Sequence, residues 1–108
     1  MTDFLAQRCQ SRPTAMSEEA IRNHLAQMSG WREAGAAIEK TFAFKNWLET
    51  IAFVDALAWM AHVEDHHPDL VVRFDHCVVR FSTHSVGGIS VNDFIGAAKA
   101  DALVAFLG

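Results

Sequence analysis

The sequence predicts an α+β fold with the element order αββαββα: a four-stranded antiparallel sheet with helices packed on one face. Three observations lead there. Apolar residues recur at helical spacing in three stretches and alternate, with period two, in the stretches between them. The links inside each strand pair are too short for a parallel crossover, so neighbouring strands must run antiparallel. A chain of 108 residues, 51% of them apolar, can build one hydrophobic core but not two, so residues 1–108 are one domain.

Residues 1–16 show little periodicity, contain Pro13, and read as an irregular N-terminal arm. Ser17 followed by Glu18 and Glu19 starts a helix, with a capping hydroxyl and two carboxylates at the positive end of the dipole. Its stripe of Ile21, Leu25 and Met28 ends at Ser29-Gly30. Trp31 opens the next segment, and Gly35 marks a turn. Ile38 to Phe44 alternates as a strand, and Lys40 on its apolar face predicts that this strand begins at an exposed edge.

Asn46 caps a long helix, Trp47 to His66, that is apolar almost all round and needs cover on more than one side. Pro68 drives His67 out of the α region, so the helix is expected to end at the histidine pair. Leu70–Phe74 and Cys77–Phe81 alternate around Asp75-His76 as a β-hairpin. Gly87-Gly88 turns the chain again, and Ser90-Val91-Asn92-Asp93 has the form of a capping box. The last helix carries a stripe of Val91, Phe94, Ile95, Ala98, Ala102 and Phe106.

Composition narrows the function. A formal charge of −4 gives no reason to expect nucleic acid or an anionic membrane as partner. No stretch of 18 apolar residues exists and the N-terminus lacks the basic start and apolar run of a signal peptide, so the expected location is cytoplasmic. The two cysteines, Cys9 and Cys77, form no CxxC; Cys77 reads as a small buried hydrophobe.

His62, His66, His67 and His84 fall within 23 residues, and imidazole is the side chain that exchanges protons near neutrality. His62 and His66 are four apart and are expected to share a helix face. If the hairpin returns His84 beside His66 and His67, three imidazoles line one pocket, a constellation suited to general acid–base catalysis. Plainer readings stand beside this one. His66 suits a C-terminal dipole partner, and Asp93 the third helical position of the capping box. His24 and His76 suit surface and turn, and Arg80 a solvated sheet face. A rival is a zinc hydrolase with His62 and His66 as ligands and His84 or Glu64 as the third, although the spacing is not HExxH.

At these residues the sequence resembles the pterin-4a-carbinolamine dehydratase family. Its pattern reads here as His62, three residues, His66-His67-Pro68, Phe74, His84 and Asp93, with every gap in range. Cys9, Gly30-Trp31, the Ile38–Phe44 strand, Ser82-Thr83-His84 and Gly88-Ile89-Ser90 extend the resemblance along nearly the whole chain. The resemblance implies dehydration of 4a-hydroxytetrahydropterin to the quinonoid dihydropterin, which recycles the cofactor of aromatic amino-acid hydroxylases. It implies no metal and no bound organic cofactor. His66, His67 and His84 are then the catalytic acid–base groups, and His66, His67, Pro68, Thr83, His84, Ser85, Val86 and Asp93 bind the pterin. The family's frequent Glu at the first motif position is His62 here, and its frequent aromatic after the His-His-Pro-acid run is Leu70. The alternative implied by the family is a regulatory, coactivator-like protein that binds another protein through a helix surface. A homodimer or homotetramer is expected, because one sheet can cover only one side of the long helix, leaving a side that includes Phe53 and Leu57.

Overall fold

Ser17 sits in extended backbone and its hydroxyl accepts the Ala20 amide at 3.1 Å, so the first helix, α1 (Glu18–Leu25), starts where the capping residues predict. The computed structural model describes residues 2–107, with the side chains of Phe106 and Leu107 outside that description. Strand β1 (Arg32–Ala34) turns at Gly35, whose φ of +62° is open to glycine, into β2 (Ala37–Ala43). Asn46 caps α2 (Trp47–Glu64) by accepting the Glu49 amide at 2.9 Å. The hairpin β3 (Asp69–Val72) and β4 (His76–Phe81) follows, then a single 3-10 turn (His84–Val86) and α3 (Val91–Leu107).

All strand pairings are antiparallel, in the spatial order β1-β2-β4-β3. In β4, Cys77, Val79 and Phe81 are fully buried while His76, Val78 and Arg80 are half-exposed, the signature of a sheet covered on one face. Helices α2 and α3 pack on one another and on β4. Phe53 and Leu57 of α2 meet Phe42, Val79 and Phe81 of the sheet and Phe94 and Ile95 of α3 in one core. Each of the fully buried phenylalanines, 53, 81 and 94, contributes roughly 1.5–3 kcal/mol by leaving water. The α+β two-layer expectation therefore stands.

Details differ from it. β2 is an interior strand between β1 and β4, so Lys40 does not mark an edge. Its ammonium instead reaches Asp101 on α3 at 2.9 Å and the Ser29 carbonyl at 3.1 Å, while Asp101 also accepts the Trp31 indole N–H. A long aliphatic stem lets a lysine lie over the core and keep its charge paired. Phe53 and Leu57, expected on the uncovered side of α2, are 0% and 1% exposed. The face left open is a different one: Trp47, Leu48, Ile51, Trp59 and Val63. A helix without amphipathic contrast gives no sequence signal for which side meets the sheet. His24 is not a plain surface residue, since its ring packs on Phe4 at 4.8 Å and Phe94 at 5.3 Å. Arg80 pairs with Glu39, which also holds Arg32, in a charge ladder across the outer sheet face. In α3, Phe94 and Ile95 are fully buried and Val91, Ala98 and Ala102 half-buried; the expected contribution of Phe106 lies outside the described side chains.

The arm has neither helix nor strand, yet it is fixed to the body. Phe4 is buried against Phe94, and the Met16 amide bonds to the Ile89 carbonyl at 2.9 Å.

Candidate active site

The site is built where α2 stops. Asp65 takes a left-handed conformation, φ +51°, and the His66 amide reaches back to the Ala61 carbonyl at 3.2 Å, so the helix closes at Glu64. The expected end at His66 is thus two residues late. A left-handed Asp65, rather than the restraint of Pro68 on His67, is what stops the helix. This moves His66 off the helical face that it was expected to share with His62. His62 stays exposed on the outer side of α2, edge-on to Trp59 at 6.3 Å, beside a shallow pocket with Asp55. His66 turns inward. The donor set required by the zinc reading is dispersed accordingly. Among the described residues, no group of three or more His, Cys, Asp or Glu side chains is placed to hold one ion.

Asp93 lies at the centre of the arrangement, wholly buried in the first turn of α3. Its Oδ1 meets His66 Nε2 at 2.7 Å; its Oδ2 accepts the Thr83 hydroxyl at 2.8 Å and the Ser90 amide at 2.9 Å. The Ser90 amide bond is half of the predicted capping box; the Ser90 hydroxyl accepts the Asn92 amide at 3.2 Å rather than that of Asp93, so it caps the helix one residue earlier than the box requires. One carboxylate thus caps α3 through Oδ2 and meets His66 through Oδ1. With the carboxylate as acceptor, His66 Nε2 is the donor and its Nδ1 keeps a lone pair.

The imidazole lies parallel to the Phe81 ring, 5.8 Å between centroids and 11° between planes. Phe81 can occupy that place because α3 has Gly96 beneath it: a Cβ there would fall 2.6 Å from the ring.

Thr83 joins this hub to the loop carrying His84. Its backbone pairs with Gly88 in both directions, closing residues 83–88 into a loop that includes His84, Ser85 and Val86. The same threonine donates its hydroxyl to Asp93, so the loop and His66 hang from one carboxylate. His67, one residue past His66, and His84 are exposed to solvent, as is Ser85, while Pro68 and Val86 are half-buried. Phe74 is not brought here. Its carbonyl accepts the Thr50 hydroxyl, which places it near the start of α2, about 21 Å of helix away from Glu64 at the other end.

A cavity of about 300 Å³ opens beside the hub. Its lining is Thr83, Ser85, Asp65, Glu64 and Asn92 of the body with Cys9, Gln10, Ser11 and Pro13 of the arm; the three histidines are not themselves in this lining, but Asp65 precedes His66 and Thr83 and Ser85 flank His84. Sequence reasoning missed the arm's part in this wall, and missed Glu64 and Asn92 as its anchors. Glu64, buried at 8% exposure, accepts the Cys9 amide at 2.8 Å and pairs with Lys99 at 3.1 Å and Arg8 at 2.9 Å. Burial alone would raise its pKa, but the Cys9 amide and the two cations together hold it below the ordinary carboxylate value. Burial, reinforced by the neighbouring Glu64 carboxylate, pushes the Cys9 thiol up to about 12. No sequence signal pointed to Phe81 as the imidazole's platform; the periodicity marks it only as core.

An imidazole oriented by a buried carboxylate, with further histidines at the adjoining helix end and loop, makes this an α+β domain equipped for proton transfer. The profile of the family described as "Pterin 4 alpha carbinolamine dehydratase" matches residues 14–103, and the chain belongs to that family. A relative from Stenotrophomonas maltophilia is 58% identical over 90 residues, covering 82% of this chain and 78% of its own. One from Bdellovibrio bacteriovorus is 49% identical over 106 residues, covering 94% and 88%. Both are provisionally named pterin-4-alpha-carbinolamine dehydratases, which are hydro-lyases. A crystal structure described as a transcriptional coactivator/pterin dehydratase from Brucella melitensis superposes with a TM-score of 0.79 at 28% identity, over 82% of this chain and 96% of its own. A pterin dehydratase-like protein identified as a RuBisCO assembly factor in the alpha-carboxysome is more distant, with a TM-score of 0.56 at 26% identity, over 68% and 84%. Among the described residues no helix is long and apolar enough to cross a membrane.

Proposed function

We propose that this protein removes water from a 4a-hydroxytetrahydropterin by histidine general acid–base catalysis, without a metal or bound organic cofactor. The observation that carries the reading is the shared carboxylate. Asp93 bonds at once to His66 of the His66-His67-Pro68 segment and to Thr83 of the Thr83–Val86 segment, so two stretches with 14 residues between them are keyed to one point.

The reaction breaks the bond from C4a to its hydroxyl oxygen and forms a C4a–N5 double bond. One proton goes to the departing oxygen, which leaves as water, and one comes off N5, so no net proton is consumed. A protonated imidazole supplies the first and a neutral one accepts the second. His66 enters with its tautomer fixed, Nε2 toward Asp93 and Nδ1 free as an acceptor. His67 and His84 are exposed and can meet substrate from the helix end and from the loop. Pro68, Thr83, Ser85 and Val86 supply the surrounding surface, and Asp93 acts through His66 and Thr83, since its oxygens are already engaged. The tetrahydropterin so regenerated, after reduction of the quinonoid product, serves aromatic amino-acid hydroxylases.

His67→Ala and His84→Ala test the reading. Each is expected to slow dehydration by about 10²-fold with the fold intact, the usual contribution of one positioned acid or base. Wild-type turnover in both variants would remove the histidines from the mechanism.

A further inference from the structure

The N-terminal arm is bound to the body by pairings of an unusual kind for a terminal segment. Arg8 pairs with Glu64 at 2.9 Å and donates to the Val63 carbonyl at 3.2 Å. The Cys9 amide donates to Glu64 at 2.8 Å. The Asn92 side chain then imitates a strand: its Oδ1 accepts the Gln10 amide at 2.8 Å and its Nδ2 donates to the Gln10 carbonyl at 2.9 Å. Both anchors occupy critical places. Glu64 is the last helical residue before Asp65 and His66, and Asn92 immediately precedes Asp93. The arm is therefore held at the two points of the chain from which the imidazole and its carboxylate emerge. Beyond the anchors, Cys9, Gln10, Ser11 and Pro13 line the same 300 Å³ cavity as Thr83 and Ser85.

We infer that residues 8–13 form a fixed outer wall of the substrate cavity, and that Glu64 and Asn92 are positioning residues that set substrate affinity by holding this wall. The inference rests on the reading of the cavity beside Thr83 as the place of the pterin. It assigns the arm a task that the motif residues do not perform. His66, Asp93 and the loop from Thr83 are all on the body, whereas the arm supplies four of the nine residues that line the cavity. A wall that touches substrate and transition state alike contributes uniform binding, so its loss raises KM and leaves kcat nearly unchanged. Glu64 fits this role by its bonding. It is buried and committed to three partners, two of them on the arm, and has no recorded bond to a histidine. Preorganisation is the physical gain: an arm ordered before binding spares the ligand the cost of ordering it.

The test compares Glu64→Gln, which keeps an acceptor for the Cys9 amide but loses both ion pairs, with Asn92→Asp, which loses the donor to Gln10. Arg8→Ala, at an exposed position, guards against a fold defect in the other two. The assays are steady-state dehydration of the carbinolamine and the alkylation rate of Cys9 at pH 8. A half-buried thiol held to about 12 reacts slowly, and a released arm lets it react faster; Arg8→Ala and Asn92→Asp carry this readout, because Glu64→Gln also removes a carboxylate that raises the thiol. Cys77 is buried in the core and stays silent. The expected result is KM raised about tenfold with kcat within about twofold, together with faster alkylation that added dihydropterin slows again. Faster alkylation with KM unchanged in all three variants would show that the arm moves but is no part of the site, and would overturn the inference alone. Unchanged alkylation and unchanged KM would overturn it by showing that the anchors do not hold the arm. Absence of dehydration by the wild-type protein would instead overturn the functional reading, and with it the substrate assigned to this wall.

Discussion

Asp93 concentrates the chemistry of the molecule in one side chain. It caps α3 through the Ser90 amide, fixes the tautomer of His66 and suspends the loop of His84 through Thr83. The sequence offered these as competing explanations, capping box or site, because spacing reports one helix at a time and cannot show that a carboxylate has a second oxygen facing another element. Asp93→Asn separates the roles. An amide cannot accept all three hydrogen bonds, and its NH₂ presents a donor where one of them needs an acceptor. If the NH₂ faces His66, Nε2 becomes an acceptor and Nδ1 loses its lone pair. Turnover should fall about 10–100-fold, the usual cost of losing an imidazole's orienting partner, and stability by about 1–3 kcal/mol for an unsatisfied buried polar group. Stopped-flow dehydration and urea denaturation measure the two. Undiminished turnover with reduced stability would leave Asp93 a cap and nothing more. The family's frequent Glu at the first motif position is His62 here, which stays exposed on α2, while the carboxylate that meets His66 is Asp93, itself a member of the same motif.

At the scale of elements, the strands and helices were largely legible, because a one-faced sheet writes its burial into the alternation of Cys77, Val79 and Phe81. The end of α2 was not. Pro68 is a visible breaker, but the chain had already stopped at Asp65, whose left-handed backbone carries no sequence mark of its own when the residue is not glycine or asparagine. That shift of two residues decided which histidines meet. The clasp of the arm was equally hidden, because its long-range partners, Cys9 with Glu64 and Gln10 with Asn92, show no periodicity. It does predict a pH dependence. Glu64 has a pKa in the folded protein below its ordinary value, so the unfolded chain binds its proton first. Its contribution is complete above the ordinary carboxylate range and is lost as the pH falls through the depressed folded value. Glu39, held low by Arg32 and also by Arg80, contributes in the same window, so the comparison must be made against Glu64→Gln. Denaturation midpoints of the wild type should drop more steeply than those of Glu64→Gln between about pH 5 and pH 3. Parallel profiles would show that the buried carboxylate is not held by its cations.

For the whole molecule, the largest feature unused by the fold is the outer face of α2. Trp47, Leu48, Trp59 and Val63 are 51%, 78%, 69% and 58% exposed, four large apolar side chains left in water along one helix. We propose that a second copy of the chain covers it, giving a two-fold symmetric dimer or dimer of dimers. The expected side of the helix was right in kind and wrong in residues, because Phe53 and Leu57 had been claimed by the core. Light scattering at micromolar concentration should return a multiple of 12.0 kDa, and Trp59→Asp should lower it. A monomer of the wild type would contradict the proposal.

The account as a whole rests on an acid–base dehydratase whose reacting groups are its own imidazoles. The most direct measurement is the rate at which the purified protein, dialysed exhaustively against a chelator, converts freshly generated 4a-hydroxytetrahydropterin to the quinonoid dihydropterin at neutral pH. The account predicts conversion well above the buffer rate, undiminished by the dialysis and without about one zinc per chain in elemental analysis. No acceleration over buffer, or acceleration that vanishes with the metal and returns when zinc is restored, would contradict it.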